Sequence, residues 1–84
     1  MYTKTIDLTD ICFTDVDPLD TVGFSFYKAA FVDRLMKDSI YEIPKIQELI
    51  DSLEESQGYS EFENLVFVLD NVCAEYHINL KLCV

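Results

Sequence analysis

SEFENLVFVLDNVCAEY, Ser60 to Tyr76, is the stretch on which the fold turns. Its centre, Leu65-Val66-Phe67-Val68-Leu69, is an unbroken apolar run and taken alone would read as a buried strand. Two features around it argue for a helix. Ser60 and Glu63 form an S-x-x-E capping-box pattern directly before the run. Phe62, Leu65, Val66, Leu69, Val72, Cys73 and Tyr76 then hold helical spacing over more than three turns, further than a strand would carry it.

Working outward from that helix, Ile78, Leu80, Leu82 and Val84 alternate with Asn79, Lys81 and Cys83, the pattern of a strand with one buried face. On the N-terminal side, Gly58 suits a left-handed position closing a preceding helix. That helix starts at Pro44 and places Ile46, Leu49, Ile50 and Leu53 on one stripe. Ser39 to Ile43 reads equally as a connector or a brief edge strand. From Phe24 to Lys37 a further helix aligns Phe24, Tyr27, Phe31 and Leu35, with Asp33–Lys37 and Arg34–Asp38 as i, i+4 ion pairs. Asp17 as cap and Pro18 as first residue suit a helix start, and Gly23 weakens one continuous helix from there. At the N-terminus Tyr2, Ile6 and Leu8 share one parity, and the phase flips at Ile11 and Phe13, so a bulge or strand end is expected near Thr9-Asp10. The expected architecture is a small single α+β domain over residues 1–84. Its terminal β-strands share one small sheet packed against two or three α-helices, because a lone strand cannot satisfy its own backbone.

Composition excludes several classes of function. The 84 residues hold 16 Asp and Glu against 6 Lys and Arg, a formal charge of −10, and half are hydrophobic. Intrinsic disorder pairs high charge with low hydrophobicity, which this chain lacks. Direct nucleic-acid binding and adhesion to anionic membranes both need cations that are too few here. No apolar run is long enough to span a bilayer, and the N-terminal residues lack the layout of a signal peptide. Cys12, Cys73 and Cys83 are an odd set without a CxxC, which suggests reduced thiols and a cytoplasmic location, that of the host if the chain is phage-encoded.

No catalytic motif is present: no GxSxG, Gly-rich phosphate loop, HExxH or GxGxxG. His77 is the only histidine and falls at the end of the long helix, where a structural role is expected. Asp10, Asp15, Asp17 and Asp20 do not match the EF-hand spacing and read as caps and turn residues. The chain is therefore expected to be no enzyme and to need no cofactor or metal.

Charge patterning is the informative feature. Between Ile46 and Leu80 there are eight acids and no Lys or Arg. Ordinary solvated surfaces mix both signs. Glu48, Asp51 and Glu55 fall within about 60° around their helix and span about 10 Å of its axis, the length scale of phosphates along one nucleic-acid strand. Such carboxylates can occupy Arg and Lys clusters that otherwise hold phosphates. The expected partner-binding residues are Glu48, Asp51, Glu54, Glu55, Glu61 and Glu63, and the expected partner is a basic nucleic-acid-binding protein or effector complex.

The leading expectation is thus a non-enzymatic acidic inhibitor of a nucleic-acid-handling protein. Its profile is similar to that of phage or mobile-element anti-defence proteins such as anti-CRISPR and DNA-mimic inhibitors, a likeness of profile and not of family. An immunity protein or antitoxin against a toxin nuclease is the second reading. A structural or adaptor subunit is the third, because Val32, Met36, Phe67 and Val68 lie off the main apolar stripes of their helices. Those four suit either a helix buried on several sides or an apolar interface, including that of a homodimer.

Overall fold

The computed structural model describes residues 3–11 and 21–82. Strand β1 (Lys4–Leu8) leads to helix α1 (Thr21–Met36), a 3-10 turn at Ser39–Glu42, helix α2 (Pro44–Glu55), helix α3 (Tyr59–Glu75) and strand β2 (Ile78–Leu82). The protein is a small α+β domain in which the two terminal strands pair with each other and the helices lie between them in sequence. The strands run parallel, with Lys4 opposite Ile78, Ile6 opposite Leu80 and Leu8 opposite Leu82. A parallel pair needs a crossover connection, and here all three helices supply it. Expectations for Tyr2, Phe13, Asp17, Pro18, Cys12, Cys83 and Val84 lie outside the described residues.

Alternation sets the two faces of the sheet. Ile6, Leu8, Ile78 and Leu80 are buried, and Leu82 is half-buried. Thr5, Asp7 and Lys81 face water, and the register brings Asp7 opposite Lys81. β1 ends where the apolar phase flips: Thr9 donates its backbone N–H to Asp7 Oδ1 at 2.9 Å, and Ile11 N–H bonds back to the Leu8 carbonyl at 3.1 Å. That pair of bonds turns the chain out of the strand, and the Thr9 bonds hold the Asp7 carboxyl below its usual pKa.

The core is organised around Phe62 of α3, which is 1 % exposed. Its ring meets Phe24, Tyr27 and Phe31 of α1 edge-on, with centroids 5.7, 5.5 and 5.4 Å away. Edge-to-face packing sets ring edges against ring faces, the favoured arrangement for their quadrupoles. The spacing of Phe24, Tyr27 and Phe31 along one helix face is what lets a single ring from α3 touch all three. Leu35, Ile46, Ile50, Leu53, Leu69 and Cys73 extend the core from the other stripes with no exposure. Burial pushes the Cys73 thiol up to about 11 and that of the half-buried Tyr27 hydroxyl up to about 12.

Several local expectations are corrected. α3 does not start at a Ser60–Glu63 capping box. It begins at Tyr59, with Gly58 as its N-cap and the Phe62 N–H on the Gly58 carbonyl at 3.0 Å. Gly58 is extended at φ −151°, and is not in the left-handed region. Tyr59 packs partly against the core, which extends the helix to include it and leaves Ser60 inside the first turn. Glu61, at the third helical position, takes the reach-back role: its carboxylate accepts the Gln57 N–H at 3.1 Å.

The left-handed residue is instead His77, at φ 62°, just past the end of α3. Its N–H bonds to the Ala74 carbonyl at 3.0 Å, and its own carbonyl accepts the Thr3 N–H at 2.7 Å. Ser39–Glu42 is neither strand nor plain loop but a 3-10 turn whose Ile40 N–H is capped by Asp38 at 3.2 Å. The expected Arg34–Asp38 pair is not made. Arg34 instead grips both oxygens of Asp10, at 3.2 and 2.8 Å, and the Asp7 carbonyl at 2.9 Å, while Asp38 pairs with Lys4. Both choices bind β1 to the end of α1, a tertiary gain that an exposed i, i+4 pair cannot match. The Asp33–Lys37 pair forms as expected, at 2.9 Å.

Candidate functional site

Three features of α2 set out the candidate surface. First, Ile46, Ile50 and Leu53 are buried, and at 100° per residue Glu48, Asp51 and Glu55 project from the opposite side of the helix. The three carboxylates form a ridge pointing away from the core, and all are exposed. Second, α2 carries its charges against its own dipole. Lys45 stands in the first turn and Glu54 and Glu55 in the last, with no acid in the first turn and no base in the last. A helix terminus favours the reverse arrangement by several tenths of a kcal/mol or more per charge, roughly 0.3–1. Third, among the described residues Glu48, Asp51 and Glu55 make no ion pair. Among the described residues the ion pairs are Lys4–Asp38, Arg34–Asp10, Lys37–Asp33 and Lys45–Glu75. Lys28 donates to the Ser56 carbonyl at 2.9 Å, and Lys81 faces Asp7 across the sheet.

The six expected acids do not all share this surface. Glu54 lies on the flank of α2 that faces α1, where it borders a groove with Lys28 and Met36. Glu48 lies on the flank facing α3 and lines a shallow cleft of about 290 Å³ with Lys45, Leu49, Ser52, Val68 and Val72. Asp51 accepts a hydrogen bond from the Tyr41 hydroxyl at 2.8 Å, which fixes its position on the ridge and raises the Tyr41 pKa. Glu61 is exposed, and its turn of α3 lies on the side nearer α2 by helical geometry. Glu63 is half-buried on the far flank beside Tyr59; burial, with the bond to Glu63, raises the Tyr59 pKa. The ridge is therefore Glu48, Asp51 and Glu55 with Glu61 beside it, while Glu54 and Glu63 face elsewhere.

The four apolar candidates separate as well. Val32 is 4 % exposed and belongs to the core, so its position off the main stripe reflects packing between α1 and α2. Met36 is half-buried against the same core. Phe67 and Val68 are exposed, at 57 % and 46 %, so α3 is not buried on several sides there. Val68 shares the cleft with Glu48, and Phe67 sits one helical step further round, away from α2. Phe26 of α1, off the stripe of Phe24, Tyr27, Phe31 and Leu35, is a further exposed apolar residue beyond those four candidates. It is 73 % exposed, more than any other large apolar residue described.

What the described residues present at this surface is charge and shape. Among the described residues no group of three or more His, Cys, Asp or Glu side chains is arranged to hold a metal ion. No helix among them is long and apolar enough to cross a membrane. Cys73 is buried with a raised pKa, the opposite of a reactive thiol. His77 serves the backbone turn between α3 and β2. No protein family, curated protein or solved structure matches the chain.

Proposed function

We propose that this protein is a non-enzymatic inhibitor that docks the Glu48–Asp51–Glu55 ridge, with Glu61 beside it, onto a basic surface of a nucleic-acid-handling protein. One observation supports this reading above the others: α2 holds an outward row of carboxylates that makes no ion pair among the described residues and ends in Glu55, at the helix terminus whose dipole disfavours an acid. Acids kept only for solubility have no reason to gather at the end of a helix where they destabilise it. Local rules of this kind are broken most often where function requires it. A rigid helix presents the row without the ordering cost that a loop would carry. The partner's Arg and Lys side chains would meet carboxylates where phosphates otherwise lie, blocking nucleic acid by occupancy. Anti-defence inhibitors from phages or mobile elements, and immunity proteins against toxin nucleases, both work in this manner.

Capture from the native host lysate at about 50 mM NaCl tests the proposal, since charge-driven contacts weaken steeply with salt. The expected partner is retained by the wild-type protein, released at about 500 mM NaCl or by a short DNA or RNA duplex, and not retained by an E48K/D51K/E55K variant. A partner held equally at both salt concentrations and by the triple variant would overturn the reading. That result would favour an adaptor role through Phe67 and Val68, whose exposure on α3 is the observation supporting it.

A further inference from the structure

α2 and α3 run antiparallel, tied at both ends. Lys45 at the start of α2 lies 3.8 Å from Glu75 at the end of α3, and where the chain turns between them the Glu61 carboxylate accepts the Gln57 N–H. Between those ties the two helices leave the shallow cleft of about 290 Å³ that Glu48 borders. Its apolar lining is Leu49, Val68 and Val72. Val72 is buried, Leu49 is half-buried, and Val68 stands out on the α3 rim. The two valines are stiff at χ1, so the α3 wall keeps its shape without an occupant. An opening this small and this apolar suits one aliphatic side chain of another protein.

Charge says what that protein must carry. The charged residues lining the cleft are Lys45 and Glu48, and Lys45 is already spent on Glu75. Beyond the other end of the cleft stand Glu55 and Glu61, both exposed. Asn64 and Asn71, one turn to either side of Val68, are exposed and uncharged. The cleft therefore opens into a field of one sign. An acidic occupant, including a second copy of this −10 chain, is repelled there, whereas one that brings Arg or Lys is attracted.

We infer that the α2–α3 cleft takes an aliphatic side chain of the basic partner, from a segment whose flanking Arg or Lys residues meet Glu48 on one side and Glu55 and Glu61 on the other. This rests on the ridge reading and adds to it the chemistry of the partner segment. Glu48 belongs to both surfaces and joins them. The ridge steers a cationic protein inward, and the cleft gives it a short-range apolar contact that salt does not screen. An anchor seated in a pocket and ringed by polar contacts is the usual form of a binding hot spot.

The test uses the ¹⁵N-labelled full chain, titrated at about 50 and 500 mM NaCl with two Arg-rich peptides that differ only at a central residue, Leu in one and Ser in the other. The Leu peptide should bind about tenfold more tightly than the Ser peptide at both salt concentrations, and should shift the amide signals of Leu49, Val68 and Val72. V68N removes an apolar wall and S52F fills the cleft; both changes are at exposed positions and leave the charge unaltered. Each should reduce the Leu peptide to the affinity of the Ser peptide, which itself stays the same. E48K/D51K/E55K should weaken both peptides. Equal binding of the two peptides to the wild-type protein, lost in the triple variant, would overturn the cleft inference and leave the ridge reading standing. Binding of neither peptide at the lower salt, or equal binding of both by the triple variant and the wild-type protein, would overturn the ridge reading and the cleft inference with it.

Discussion

Neutralising the α2 ridge should make the protein more stable while abolishing its docking. The perturbation is E48Q/D51N/E55Q, which keeps side-chain size and leaves the residue 51 side chain an oxygen to accept the Tyr41 hydroxyl. Glu48 and Asp51, and Asp51 and Glu54, are i, i+3 neighbours and Asp51 and Glu55 are i, i+4 neighbours, so three like-charge contacts are removed at about 0.2–0.5 kcal/mol each. Glu55 also sits in the last turn of α2, and relieving its conflict with the dipole adds about 0.3–1 kcal/mol. Against this stands the loss of any attraction between Lys45 and Glu48, weak because it is exposed and in the less favourable order. The net gain is about 1 kcal/mol at low salt, which in a domain of this size raises Tm by roughly 4–8 °C. Thermal melts followed by circular dichroism at about 20 and 500 mM NaCl measure it. Screening should shrink the difference at the higher salt, because the wild-type protein gains more from added ions than the variant. A triple variant with an unchanged or lower Tm at 20 mM NaCl would refute the reasoning, since the ridge would then not be held against its own electrostatics.

Three further expectations concern the scaffold. F62A removes the ring that Phe24, Tyr27 and Phe31 surround and should cost about 3–5 kcal/mol in urea unfolding, most of the stability of a domain this small; a loss under about 1.5 kcal/mol would mean the ring cluster is not the centre of the core. H77G places the residue that favours positive φ where the backbone already adopts it, and should stabilise by about 1 kcal/mol; a lower Tm would show that the imidazole itself contributes. The Tyr27 pKa is raised by burial to about 12, so its hydroxyl holds its proton in the folded state above the usual value of 10. The unfolded state loses that proton first, so stability is complete below pH 10 and declines as pH rises toward 12. Y27F should flatten that decline in alkaline denaturation curves, and an unchanged decline would assign it to other groups.

Hydrophobic periodicity made most of the fold legible. The Leu65–Leu69 run is helical because Phe62, Val66, Leu69, Val72 and Cys73 form one buried stripe, and that stripe was visible as spacing. The pairing of the terminal strands followed from the need to satisfy two short backbones. What spacing could not show was how the helix ends are held. Gly58 and Ser60 carry good local signals for a C-terminal stop and an N-cap, yet Tyr59 packs against the core and moves the boundary by two residues, which a local signal cannot anticipate. His77 in the left-handed region was equally hidden. The turn from α3 into β2 is set by the bond from Thr3, a partner 74 residues away. Arg34 was assigned to its helical neighbour Asp38 for the same reason, because Asp10 comes near it only in three dimensions.

The candidate surface divides along a similar line. Counting charges identified the base-free stretch and helical geometry grouped Glu48, Asp51 and Glu55, but Glu54, Glu61 and Glu63 stood beside them undistinguished until the structure separated them by what lies beneath. Glu48, Asp51 and Glu55 share a ridge because Ile46, Ile50 and Leu53 fix the opposite side of α2. Glu63 is drawn aside by Tyr59, and Glu61 spends part of its carboxylate on Gln57. Reversing Glu63 to Lys should therefore affect docking less than reversing Asp51, although sequence alone ranks them together. The charge inversion of α2 was legible all along: Lys45 follows Pro44 at the helix start, and Glu54-Glu55 closes the run. Reading that order against the helix dipole, as well as counting net charge, turns an acidic composition into a directional claim about which side of the molecule faces a partner.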